Sequence, residues 1–277
     1  MNNLVTRSIA GVGFVAAVVA CLLLDKFLFA GFMILIMAVM LHEFFKMSMG
    51  PTRYKFSRIL AVLAGVTLFT LIFICTAFGM SQKYVALALI PMLTVMANSL
   101  LVKDKSEFGK FAYIYTGLMY IAVPLSLSNL IVFKDGVFNG LLMLCFFIII
   151  WASDTGAYIF GMALGQRPGS KKLCPSISPK KSWAGFWGGM VTSVAACIVM
   201  NMIGMMSIPW YHGIILAILM HIGGVFGDLF ESQWKRYYDI KDSGNFIPGH
   251  GGALDRFDST LFAIPFGAIY LSVFNLL

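Results

Sequence analysis

Residues 215–236 read ILAILMHIGGVFGDLFESQWKR, an apolar run that turns polar with no proline between its two parts. Asp228 closes the apolar part, and Glu231, Ser232 and Lys235 follow three, four and seven positions on. On a helix that spacing gathers them on one face. The stretch therefore predicts one membrane-crossing helix whose polar stripe emerges from lipid, with Lys235 and Arg236 a turn beyond the acids. Such a stripe suits a clamp for a metal ion and phosphates. It equally suits an interfacial helix whose basic residues touch headgroups and whose acids pair with them.

The rest of the chain follows the same plan. Only 12% of its 277 residues are charged and its mean hydropathy is +0.87, where a soluble domain carries about 25% charged residues. Apolar runs fall at 8–24, 28–45, 59–79, 84–102, 112–133, 137–153, 184–205, 209–227 and 260–276. Most approach the ~20 residues that cross a hydrocarbon core, and alternating strands of barrel type are absent. The expected fold is an all-α polytopic membrane protein of about nine transmembrane helices, forming a single domain over 1–277. Within it, 1–140 reads as a helical scaffold and 150–260 as the catalytic region with cytoplasmic polar loops.

Of the 20 basic residues, nine crossings leave only Lys26, Lys83 and Lys134 on one face. This positive-inside bias places the amino terminus in the cytoplasm and the carboxyl terminus outside. It also accounts for the net charge of +8 without a nucleic-acid partner. The first apolar run reads as a retained helix rather than a cleaved signal. The five cysteines have no paired or metal-type spacing and read as packing residues. Glu43, in HEFFKM near a helix end, reads as a side chain reaching for the interface.

Polar interruptions concentrate after residue 150. Asp154, in WASDTGAYIFG, is a carboxylate at the edge of an apolar run, with Tyr158 one turn on; a charge there calls for a partner. SPKKS, Ser178 to Ser182, offers Lys180 and Lys181 just before a new span opens at Trp183, where a helix start favours anions. Headgroup anchoring is the plainer reading of those lysines. The segment KDSGNFIPGHGGALDRFDS, residues 241–259, mixes flexible glycines with Lys241, His250, Arg256, Asp242, Asp255 and Asp258. Successive N–H groups there can wrap an anion, and the carboxylates suit a hard divalent cation. No GxxxxGK[ST], HExxH or GxSxG is present, so P-loop, zincin and serine-hydrolase readings lack their residues.

The run SQWKRYYDIKDSGNFIPGHGGALDRFD, Ser232 to Asp258, closely resembles the signature of phosphatidate cytidylyltransferases, the CDP-diacylglycerol synthases. The resemblance extends upstream through SPKKS to Asp154. It departs at Trp234, at Ala253, and at Ala184, where a glutamate is common. It implies transfer of CMP from CTP to phosphatidate, giving CDP-diacylglycerol and pyrophosphate for phospholipid synthesis, with Mg²⁺; whether a monovalent cation also takes part is left open. It further implies a homodimeric multi-pass protein of the bacterial plasma membrane with its site facing the cytoplasm. Asp228, Asp255 and Asp154 are the expected metal ligands. Asp228, Asp255, Lys235, Arg256 and His250 are the expected catalytic group. Ser178, Lys180, Lys181, Arg236, Lys241, Gly251 and Gly252 are expected to hold phosphates. A transporter would spread its polar groups along a path across the membrane, whereas these gather in one half of the chain. A cytidylyltransferase for another lipid phosphate remains a neighbouring alternative.

Overall fold

The computed structural model describes residues 3–50, 54–101, 105–246, 249 and 251–277, and of residues 3–8 and 105–107 only the backbone. Helices dominate: α1 (Asn3–Leu23), α2 (Lys26–Met49), α3 (Lys55–Phe78), α4 (Leu89–Ser99), α5 (Phe111–Gly117), α6 (Val123–Val132), α7 (Leu141–Ala163), α8 (Trp183–Met202), α9 (Trp210–Tyr237) and α10 (Leu254–Val273). Among the described residues, six helical stretches are long and apolar enough to cross a membrane: α2, α3, the stretch Phe108–Val132, and α7 to α9. Each of the other apolar runs is helical as well. The run near 84–102 opens as a 3₁₀ turn over Gln82–Ala88 before α4, and α10 carries Asp255, Arg256 and Asp258 at its start.

Local chemistry sets the element ends. Asp25 caps α2, its carboxylate accepting from Phe27 N at 2.7 Å and Leu28 N at 3.3 Å, as expected of an N-cap side chain. A π turn over Leu118–Ala122 joins α5 to α6 just before Pro124. Pro124 has no N–H to give the Tyr120 carbonyl, and the wider turn absorbs that break. Two short hairpins were not foreseen. β1 (Phe133–Lys134) and β2 (Val137–Phe138) join through Asp135 and Gly136, both at positive φ, the backbone that a two-residue hairpin turn requires. β3 (Lys172–Cys174) pairs antiparallel with β4 (Ser178–Ser182).

The chain divides into two compact units. One comprises Met1–Asn139 with Lys241–Arg256, the other Gly140–Ile240 with Phe257–Leu277. In the first, Phe44 and Phe45 of α2 are fully buried, and Gly117 of α5 lies against them so closely that a Cβ would strike the Phe45 ring. In the second, α7 and α8 approach backbone to backbone. A Cβ on Gly185 would come 2.8 Å from Ala157 O, and one on Gly189 the same distance from Ser153 O. Gly223 and Gly227 of α9 meet the α10 carbonyls of Phe262 and Asp258 in the same way. Small residues at such crossings replace the hydrophobic drive that lipid removes.

Gly189→Val should therefore cost about 1–3 kcal/mol as overpacking and lower the thermal midpoint in detergent. Gly31→Ala, where an added Cβ meets nothing within 4 Å, should leave it unchanged or raised.

Candidate functional site

The α7–α8 approach creates a cleft of about 310 Å³ in the second unit, at the small end of ligand sites. Its polar lining includes Asp154 and Tyr158 from α7, Lys180 and Lys181 from β4, and Asp228 from α9; Met162, Leu173, Phe186 and Val225 make its walls apolar. Asp154 and Tyr158 thus share the face that their one-turn spacing predicts. The cleft is amphiphilic, with charges set against an aliphatic and aromatic wall.

SPKKS is a strand rather than the free start of a helix. Ser182 caps α8, its Oγ accepting from Gly185 N at 3.2 Å, so the helix supplies its own acceptor there. The hairpin is tied to the end of α7: Gln166 Nε2 donates to Lys180 O at 2.8 Å, and Lys172 Nζ donates to Gly165 O and Gln166 Oε1, each at 2.8 Å. Gly165 has no room for a side chain, because a Cβ would overlap Ser182 Oγ. Ser178 opens β4 opposite Cys174. The two lysines are therefore presented by a braced strand rather than beside a free helix start.

Lys181 Nζ lies 2.5 Å from Asp228 Oδ2, and the two side chains are 25% and 33% exposed. The other Asp228 oxygen accepts from Ser232 Oγ at 3.2 Å, so α9 continues as the polar stripe its spacing predicts. One turn on, Lys235 Nζ donates to Glu231 Oε2 at 2.7 Å, and Glu231 is 1% exposed. Asp258, at the start of α10 and ahead of its apolar run, adds a carboxylate that the expected ligand set leaves out. It hydrogen-bonds Glu231, and burial together with the Asp228 carboxylate pushes its pKa above the ordinary range. Crowded carboxylates of this kind accommodate a divalent cation, which would replace the repulsion by attraction. Among the described residues no three acidic, histidine or cysteine side chains form a ready metal cage. Mg²⁺ commonly takes one or two carboxylates and fills its shell with water and substrate phosphates, so the donor set fits that ion.

Ser153 and His221 were not singled out from sequence. Ser153 lines the cleft and its Oγ lies 2.7 Å from His221 Nδ1, and the His221 ring packs on Phe186 with centroids 4.8 Å apart. Adjacency of Ser153 to Asp154 was the only available signal.

Of the remaining expected residues, Arg236 is exposed near the end of α9. Lys241, Gly251, Gly252, Asp255 and Arg256 belong to the first unit, and His250 and Pro248 lie outside the described residues. Asp255 organises its own loop: its Oδ2 accepts from Ser243 N at 2.9 Å, Ser243 Oγ at 2.9 Å and Gly252 N at 2.8 Å. Gly251 has φ +84, and a Cβ there would lie 2.8 Å from that same oxygen. The backbone is shaped around the carboxylate.

Glu43 corrects the interfacial expectation. It is 6% exposed, and it accepts from Ala253 N at 3.1 Å and Leu254 N at 2.9 Å, with Ser243 Oγ standing 3.3 Å from its Oε2. A buried carboxylate needs such donors, and α10 begins with unpaired N–H groups to offer.

Residues 5–274 match the profile of the Cytidylyltransferase family. A Bacillus subtilis protein named phosphatidate cytidylyltransferase is 36% identical over 190 residues, covering 68% of this chain and 68% of that protein. Proteins of the same name from Staphylococcus epidermidis and Staphylococcus aureus (strain COL) are 37% and 34% identical over 172 residues, or 62% of this chain and 63% of theirs. Those two matches span less than two thirds of the relatives' own length.

The Lys181–Asp228 pair should show coupling of about 0.5–3 kcal/mol in a double-mutant cycle. Lys181→Met and Asp228→Asn should each lower the thermal midpoint in detergent, and the double variant should fall less than their sum.

Proposed function

The chain belongs to the cytidylyltransferase family, and we infer from that premise that it is a phosphatidate cytidylyltransferase, transferring CMP from CTP to phosphatidate with release of pyrophosphate. One observation carries the choice of acceptor: the Lys181–Asp228 pair sits in a cleft that also has an apolar wall, made by Met162, Leu173, Phe186 and Val225. A lipid phosphate needs such an amphiphilic cleft, with a cation for its head and hydrocarbon beside it.

A phosphatidate phosphate oxygen attacks the α-phosphorus of CTP as the bond to the β-phosphate oxygen breaks, and pyrophosphate leaves. The attacking oxygen is already an anion near neutral pH, so no residue is assigned as a base. The protein's share is orientation and charge neutralisation. Lys180 and Lys181 hold phosphate oxygens from the braced hairpin, with Ser178 at its start. Asp228, with Asp154 in the same cleft, would hold Mg²⁺, which supplies neutralisation of the phosphate charge. Asp255 is likewise proposed as a metal ligand. Lys235, Arg236, Lys241, His250, Gly251, Gly252 and Arg256 are proposed to contact phosphates, the roles the signature implies.

The proposed topology has nine crossings with the amino end cytoplasmic, in a bacterial plasma membrane, with the protein a homodimer and the site facing the cytoplasm. The asymmetry of Lys and Arg supports the orientation.

Purified protein in detergent, given phosphatidate, labelled CTP and Mg²⁺, should yield labelled CDP-diacylglycerol. Chelation should abolish the product, and Asp228→Asn should reduce turnover on the order of a hundredfold or more. Wild-type rates in Asp228→Asn would remove its metal role. Product only with a different lipid phosphate would reassign the acceptor. For the topology, Ser176→Cys in a chain with Cys174→Ser should react with an impermeant thiol reagent only from the cytoplasmic side; labelling from outside would reverse the orientation.

A further inference from the structure

We propose that Glu43 is a positioning residue for the transfer reaction, fastening the signature loop and the first turn of α10 to α2. The proposal rests on the reading that residues 241–256 serve this reaction, and it assigns a role to a residue outside that segment.

The geometry is that of a clamp. Each Glu43 oxygen takes a different backbone donor at the start of α10, Oε1 from Ala253 N at 3.1 Å and Oε2 from Leu254 N at 2.9 Å. The Ser243 hydroxyl stands between two carboxylates, 3.3 Å from Glu43 Oε2 and 2.9 Å from Asp255 Oδ2. Ser243 therefore links Glu43 to the group that shapes the loop. Two signature glycines owe their identity to this carboxylate. A Cβ on Gly244 would overlap Glu43 Oε1, and one on Gly252 would crowd both Glu43 oxygens and overlap Ser243 Oγ. Ala253 and Leu254 are 1% and 0% exposed, so water does not serve as a substitute acceptor for their N–H groups. Asp255 and Arg256 follow directly, on a turn whose start is fixed by Glu43. A carboxylate is required rather than an amide, because both oxygens face donors and an NH₂ at either place would meet another N–H.

Glu43→Gln is the direct test, measured in two ways on the full-length protein in detergent. Hydrogen exchange at the amides of Ala253 and Leu254 should accelerate at least tenfold, while amides within α7 and α8 keep their wild-type rates. In the assay with phosphatidate and CTP, KM for CTP should rise at least fivefold. A purely structural defect would instead lower kcat through loss of folded enzyme and leave KM in place. Ser243→Ala, which keeps the backbone bonds and removes only the bridging hydroxyl, should give a smaller shift of the same kind if Glu43→Gln does not fold. Unchanged exchange at Ala253 and Leu254 would overturn the clamp. Faster exchange with an unchanged KM for CTP in both variants would overturn its part in the reaction. A folded wild type without activity would instead bring down the reading of function, and this inference with it.

Discussion

The close approach of α7 and α8 through small residues is the constraint on which the cleft depends. Gly185 and Gly189 let the second helix ride on the carbonyls of the first, and in lipid such contact is worth more than bulk apolar area. Because α7 stands so close, Asp154 and Tyr158 on it line the same cleft as the lysines that lead into α8. Gly165 extends the requirement to the hairpin, since Ser182 occupies the space where its Cβ would be. Any widening at this crossing would move a charged wall of the cleft.

Charge balance in that unit follows from this proximity. Asp228, Glu231 and Asp258 face Lys181 and Lys235, so acids outnumber lysines in this cluster. A polyphosphate approaching it would meet repulsion from the carboxylates unless a cation came with it. Lys181 meanwhile occupies one oxygen of Asp228 and must share or yield it when another cation arrives. The partial exposure of both side chains leaves each open to exchange.

Much of this was legible in sequence because the relevant signals are local. Among the described residues each apolar run is helical over most of its length, and the helical continuation of α9 beyond Asp228 follows from three-to-four-residue spacing alone. SPKKS misled because lysines are poor strand formers; its strand is held by Gln166 and Lys172, whose bonds to backbone and to each other have no sequence signature. Asp258 was visible as an acid in the signature, but its burial and its carboxylate neighbours come from α9. Glu43 was misread for a related reason. A lone acid near a helix end looks interfacial when its partners lie in a segment read separately.

The separation of those partners also bears on how the protein is made. Glu43 and Leu254 are 211 residues apart in the chain. At ~5–20 residues per second, synthesis reaches Leu254 roughly 10–40 s after Glu43. During that interval α2 carries a carboxylate with none of its eventual donors, at a position costly to leave in hydrocarbon. Until then water or headgroups are the partners open to Glu43, and its bonds to the start of α10 close only when that segment has been made. The amino-terminal unit, which includes Lys241–Arg256, is thus completed by a segment translated long after its other helices.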